Sequence, residues 1–210
     1  MAADRGISRT KYEPNRLKES IVVSRKQRVE FRDFSTLSPE DRERGERSKV
    51  NGKVVNIFRV LMNHPKLARA WSTFAGYILS DNQTLPARDR EIAILRIGWL
   101  NQAPYEWEQH VRIGKTSGLN DDDIDRITKG PQAGWNRHEA ALLQAADDLF
   151  ENSVVSDETW QTLSERYNTQ QMMDLVFTIG QYNLVSWALN SFGVPLDDFL
   201  AAAKAPGAAG

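Results

Sequence analysis

Apolar residues recur along most of this chain at intervals of three and four, the period of a helix with one buried face. Val54, Ile57, Phe58 and Leu61 predict a helix over 50–62, and Leu67, Ala70, Trp71, Phe74 and Ile78 predict another over 65–80. Between them, Asn63-His64-Pro65 ends the first and opens the second, with His64 at the capping position. Over 92–100 the pattern changes, because apolar residues fall on every side of the wheel. A helix starting at Pro86 is therefore expected to be buried all round.

Further helices follow from their end signals. Pro104 suits a first helical position, and Ser117-Gly118 closes that helix. Asn120-Asp121-Asp122-Asp123 caps a helix bearing Ile124 and Ile127, ended by Lys129-Gly130-Pro131. Asn136 with Glu139 resembles a capping box ahead of 140–150, and Ser156-Asp157-Glu158 caps a helix with Trp160 and Leu163. The longest helical stretch, 170–192, is apolar but carries Asp174, Gln181, Asn183 and Asn190, which suits a core helix facing a pocket or partner rather than lipid. Ser38-Pro39-Glu40-Asp41 starts a short charged helix running to about Gly45. No strand pattern competes, so the class is all-α with seven or eight helices. Residues 1–35 read as an arm, with 21–23 and 29–31 able to be extended, 36–200 as the helical domain and 201–210 as a frayed tail.

Composition changes the picture in three ways. A chain of 210 residues suffices for one domain with a well-buried core. The net charge of −1 makes no case for nucleic acid or a membrane surface, although 13 of the 27 basic residues and only 9 of the 28 acidic ones lie in residues 1–49. That imbalance fits a solvated extension, or an arm docking on an acidic body. There is no cysteine, which removes disulfides, thiolate metal sites and thiol nucleophiles together. The first twenty residues lack an apolar core of signal-peptide length and no run approaches a membrane span, so a cytoplasmic protein is expected.

Candidate chemistry gathers at residues 84–118. The buried helix carries Glu91 and Arg96, which need partners because an unpaired buried charge costs several kcal/mol. Glu91 can be read as a structural partner of Arg88 or Arg96 as readily as a functional group. On the next helix Glu106 and His110 stand four apart on one face, beside Ala103, Trp107 and Gly114. A neighbouring carboxylate raises the imidazole pKa and desolvation lowers it, and either outcome keeps His110 near neutrality and able to move protons. Many such pairs are only surface contacts. His64 is a cap by position and His138, in a first turn among polar neighbours, is expected to be exposed. Carboxylates and imidazole could bind a metal, but helix-bundle metal sites favour Glu-x-x-His over the Glu-x-x-x-His found here, so no metal is expected. Trp71, Trp99 and Trp187 read as core or interface aromatics, with Trp107 and Tyr182 the candidates to line a substrate pocket.

The run LPARDREIAILRIGWLNQAPYEWEQHVRIGKTSGLNDDDI, preceded by NIFRVLMNHPKLARAW and followed by FTIGQYNLVSWALNSFGVPLD, resembles the carboxymuconolactone decarboxylase family, whose fold is shared with the alkylhydroperoxidase-D proteins. The resemblance covers residues 50–198. It implies an all-helical bundle that assembles into trimers or hexamers, with sites near subunit contacts. The peroxidase branch uses a glutamate, a Cys-x-x-Cys and, after three further residues, a histidine. Aligned on the histidine, these fall on Glu91, on Ala103 and Glu106, and on His110, so the dithiol chemistry is absent. The decarboxylase branch resembles this chain in lacking the dithiol. Its lactone substrate loses CO2 and supplies its own electron sink, so no cofactor is required and the protein stabilises an oxyanion and delivers a proton. The resemblance thus implies His110 as proton donor or oxyanion partner, Glu106 as its orienting or shuttling carboxylate, and Glu91 as support. A non-catalytic oligomeric small-molecule-binding protein on the same fold is the alternative.

Overall fold

A computed structural model describes residues 25–203; residues 1–24 and 204–210, on which much of the expected arm and tail falls, lie outside the described part. A 3-10 turn (Phe34–Thr36), ten α-helices and one short hairpin make up the regular structure there: α1 (Pro39–Arg47), β1 (Lys49–Val50), β2 (Lys53–Val54), α2 (Asn56–Leu61), α3 (Pro65–Ile78), α4 (Ala87–Leu100), α5 (Pro104–Thr116), α6 (Asp121–Lys129), α7 (Arg137–Asn152), α8 (Asp157–Ser164), α9 (Thr169–Phe192) and α10 (Asp198–Ala203). Eight of the ten helices have eight residues or more, in keeping with the all-α class expected from the apolar periodicity. Among the described residues no helix is long and apolar enough to cross a membrane.

Helix α4 is the axle of the bundle. Ile92, Ala93, Ile94, Leu95 and Ile97 are fully enclosed, and α5, α6, α7 and α9 pack around them. Leu142 and Leu143 of α7 and Leu175 and Ile179 of α9 complete this core. The all-apolar wheel of α4 forces that arrangement, since leaving any face in water would forfeit roughly 25 cal/mol for each Å² exposed. The arginine that α4 buries is fully engaged: Arg96 donates to both carboxylate oxygens of Asp147 at 2.6 and 2.9 Å and to the Ile127 carbonyl at 3.0 Å. It thereby ties α4 to α7 and to the end of α6. Arg88 donates to Glu139 and Asp123, both at 2.9 Å, so neither arginine is the partner of Glu91.

The caps fall where the sequence puts them. Ser38, His64, Asn120, Asn136 and Ser156 each accept from a backbone N–H in the first turn of the following helix, as does Asn168 ahead of α9, a cap that the end signals above do not include. The helix predicted over 50–62 is shorter. Asn51 and Gly52, with φ of 52° and 76°, form the turn of the β1–β2 hairpin, and only residues from Asn56 onward are helical. Two successive positive φ values mark a tight hairpin turn, for which Asn-Gly is the favoured pair. Asp197 accepts from Asn56 N at 2.7 Å and so fixes the start of α2 from a distant part of the chain.

At the other end, α9 closes at Gly193, with φ of +66°. A Cβ there would lie 2.2 Å from the Lys26 carbonyl oxygen, so glycine is needed for both the backbone turn and the crossing segment. Arg28 N donates to the Phe192 carbonyl at 2.8 Å, Val29 and Phe31 pack on the core, and Arg59 lies over the Phe31 ring. Residues 26–32 thus run across this chain's own bundle.

Candidate active site

The site forms where α4, α5 and α9 meet. Glu91 sits in the first half of α4, Glu106 and His110 stand one turn apart on α5, and Tyr182 comes from the middle of α9. The first turn of α5 lies close to α4: a Cβ at Gly98 would make an ordinary contact with Glu106 Cβ, at 3.9 Å. All four side chains are buried, Glu91 completely.

His110 is held between two acids. Its Nδ1 lies 2.7 Å from Glu91 Oε2 and its Nε2 3.4 Å from Glu106 Oε2. The shorter contact spans two helices, and the i,i+4 pair on α5 makes the longer one. Tyr182 meets the imidazole edge-on, with ring centroids 4.7 Å apart. Arg90 Nε donates to the second oxygen of Glu91 at 3.2 Å, so Glu91 is bound from both sides.

Burial is the strongest influence on His110 and pulls its pKa down. The negative charge and hydrogen bond of Glu91, with Glu106 assisting, outweigh it and leave the imidazole above its ordinary value. Burial pushes the Glu106 carboxyl above the usual carboxylate range, opposed by His110 and reinforced by Glu91. Burial likewise holds the Tyr182 phenol well above its ordinary value, with Glu106 and Glu91 adding to the effect. An imidazole that favours its charged form, beside a carboxyl that favours its neutral form, can pass a proton between two atoms without bulk water.

Trp107 does not join this cluster through a ring contact with His110; it packs on Trp99, with centroids 5.2 Å apart. Arg90 is the participant that sequence reasoning passed over, although its place beside Glu91 was a signal. His138, expected on the surface, is buried instead. Its Nε2 lies 3.1 Å from Asp89 Oδ2, which also accepts from the Tyr167 hydroxyl at 2.5 Å. Asp89 and Tyr167 come from α4 and the turn before α9, so one-helix spacing could not reveal them. A second network joins Tyr105, Gln109 and Asp197: Asp197 Oδ2 accepts from the Tyr105 hydroxyl at 2.7 Å and the Gln109 amide at 2.6 Å. Among the described residues no group of three or more His, Asp or Glu side chains is arranged to hold a metal ion.

The chain is thus an all-helical bundle with an imidazole between two buried acids and no cysteine for thiol redox work. Residues 65–148 match the Carboxymuconolactone decarboxylase family. That match spans 84 of the chain's 210 residues, and the chain contains no cysteine. Comparison with curated protein sequences gives no match. Among solved structures, the chain resembles an alkylhydroperoxidase AhpD core protein from Ralstonia eutropha JMP134, described as an uncharacterized peroxidase-related protein (21% identity, 83% of this chain and 94% of that one, TM-score 0.73). It also resembles an uncharacterized peroxidase-related protein from Silicibacter sp. TM1040 (11%, 86% and 97%, TM-score 0.73). A third similar structure is the debrominase Bmp8, as a cysteine-to-alanine variant in complex with 2,3,4-tribromopyrrole (16%, 83% and 94%, TM-score 0.65). At these identities the likeness is one of fold.

Proposed function

We propose that this protein is a cofactor-independent lyase of the carboxymuconolactone decarboxylase type, acting on a small carboxylate or lactone in the cytoplasm as a homo-oligomer of three or six subunits. The observation that carries this reading is the imidazole of His110 hydrogen-bonded through Nδ1 to buried Glu91 at 2.7 Å, with the buried carboxyl of Glu106 3.4 Å from Nε2. As the substrate's C–C bond to its carboxylate breaks, the electron pair flows into the conjugated lactone carbonyl and CO2 departs. The resulting enolate is protonated at carbon by the His110 imidazolium, whose positive charge Glu91 maintains. Glu106 orients the Nε2 edge and reprotonates the ring, drawing from solvent the one proton that each turnover consumes. The same transfers serve an isomerisation or ring opening. Trp107 and Tyr182 are proposed to line the substrate's approach.

A non-catalytic small-molecule-binding role is the second reading. In its favour, His110 is only 4% exposed, while a hollow of about 530 Å³ lies elsewhere, lined by Arg32, Asn56, Arg59 and Asp197 among others. Measuring CO2 release and ring opening over a panel of carboxylated γ-lactones separates the two. We expect turnover by the native protein and a loss of roughly 10²- to 10⁴-fold in His110→Ala, with a smaller loss in Glu106→Gln. Turnover of every accepted substrate undiminished in both variants refutes the catalytic reading.

A further inference from the structure

The α9 helix is apolar on two sides, and only one of them faces the core. Beyond its first two residues, Thr169 and Gln170, its exposed positions are Met173, Phe177, Gly180, Leu184, Trp187 and Ser191, separated by four, three, four, three and four residues. That alternation keeps a stripe straight along a helix and is the spacing by which one helix packs against another. The four large side chains are each more than half exposed, from 52% for Leu184 to 57% for Trp187. Helix α3 lies beside the stripe: Phe74 meets Phe177 edge-on, Tyr77 donates to Asp174, and Leu67 and Trp71 share an apolar hollow with Leu184 and Ala188.

We propose that this face binds a second copy of the same chain, with the two α9 helices antiparallel and crossing at Gly180 on a two-fold axis. Three observations select that occupant. The stripe is nearly self-complementary about Gly180: reversed there it sets Met173 opposite Trp187 and Gly180 opposite Gly180, and brings Phe177 to within one residue of Leu184. At the centre the residue is glycine, and nothing lies within 4 Å of where its Cβ would be, so two backbones can approach there. Finally, residues 169–192 contain a single charged side chain, Asp174, which is buried and engaged by Tyr77 and Thr84. A charged partner would find nothing on α9 to pair with, whereas a second copy brings an equally uncharged surface.

The area suffices. The four stripe side chains at roughly 200 Å² each, half exposed, offer on the order of 400 Å², and Leu67, Tyr77 and Leu79 about 200 Å² more; with backbone and polar rim this approaches the ~800 Å² per partner of a stable interface. A two-fold contact occurs in a six-subunit assembly built from pairs and is absent from a lone three-fold ring. The inference rests on the proposed self-assembly and adds to it the surface and its symmetry.

Because the chain has no cysteine, each introduced thiol is unambiguous. Full-length Gly180→Cys, Trp187→Cys and Met173→Cys/Trp187→Cys proteins are oxidised with diamide and run on non-reducing gels, after circular dichroism confirms native helix content. A disulfide needs Cα atoms about 4 to 7 Å apart. Crossing at Gly180 therefore shifts most of the Gly180→Cys chain, and most of the double variant, to a covalent dimer, and leaves Trp187→Cys monomeric. Equal cross-linking of Trp187→Cys would mean a parallel pairing and overturn the geometry. A multimer by sedimentation without a Gly180→Cys dimer would overturn the α9 contact while leaving self-assembly intact. A monomer at all concentrations would overturn both.

Discussion

Replacing Glu91 with glutamine probes the site at its most deeply buried point. Glu91→Gln removes a negative charge 2.7 Å from His110 Nδ1 but keeps the side chain's shape and a group able to bond the ring. With that charge gone, the downward pull of burial on His110 prevails, and its titration midpoint moves from above the ordinary 6.5 to below it. The sign of the stability effect follows. In the native protein the raised midpoint makes the folded state hold the proton more tightly than the unfolded chain. Its contribution is fully present below pH 6.5 and is lost as pH rises through the folded midpoint. Glu106, also raised, acts in the same sense: its contribution is full below 4.5 and declines above. In Glu91→Gln the His110 part reverses, so stability gained from it now grows with pH.

Stripping one partner from a buried ion pair costs about 3–5 kcal/mol, and because glutamine retains a hydrogen bond while the imidazole can shed its proton, about 2–3 kcal/mol is expected near neutrality. For a chain of this size that lowers Tm by about 4–10 °C. NMR titration of the three histidine rings reads the midpoint directly, and thermal melts across about pH 5 to 9 read the linked stability. An unmoved or raised His110 midpoint, with an unchanged pH profile of Tm, would refute the claim that Glu91 sustains the imidazolium.

Other positions give independent checks. Arg96→Met leaves Asp147, already raised by burial despite Arg96, without its counter-charge; urea unfolding should show a loss of about 3 kcal/mol at neutral pH that shrinks as the solution is acidified and Asp147 is protonated. Asp197→Ala strands the Asn56 N–H, the Tyr105 hydroxyl and the Gln109 amide, and should cost about 2–4 kcal/mol, while Tyr105→Phe should cost about 1 kcal/mol; hydrogen exchange over α2 should accelerate chiefly in the former. Gly193→Ala places a Cβ against the Lys26 carbonyl at a positive φ, so about 1–3 kcal/mol is expected, with faster tryptic cleavage near Lys26 and Arg28.

How much of this was legible depended on the range of the interaction. The capping residues Ser38, His64, Asn120 and Ser156 were readable because each bonds its own helix within three residues. The hairpin was locally legible too, in Asn51-Gly52, but the apolar spacing of Val54, Ile57, Phe58 and Leu61 extends a helical reading across it. That spacing describes one buried face and does not say where a helix begins. The start of α2 is fixed by the carboxylate of Asp197, 141 residues away.

By itself the sequence determined the helical class, the full burial of α4 and the lack of thiol chemistry, because these follow from side-chain periodicity and residue type. It also set Glu106 and His110 on one face, since one helical turn separates them. Only the tertiary structure decided that His110 shares its shorter contact with Glu91 rather than Glu106, that Arg88 and Arg96 look elsewhere, and that His138 is buried with Asp89 and Tyr167. Those pairings join different helices. Which side chains meet there is set by how the helices cross, to within an ångström, and no spacing along the chain encodes that.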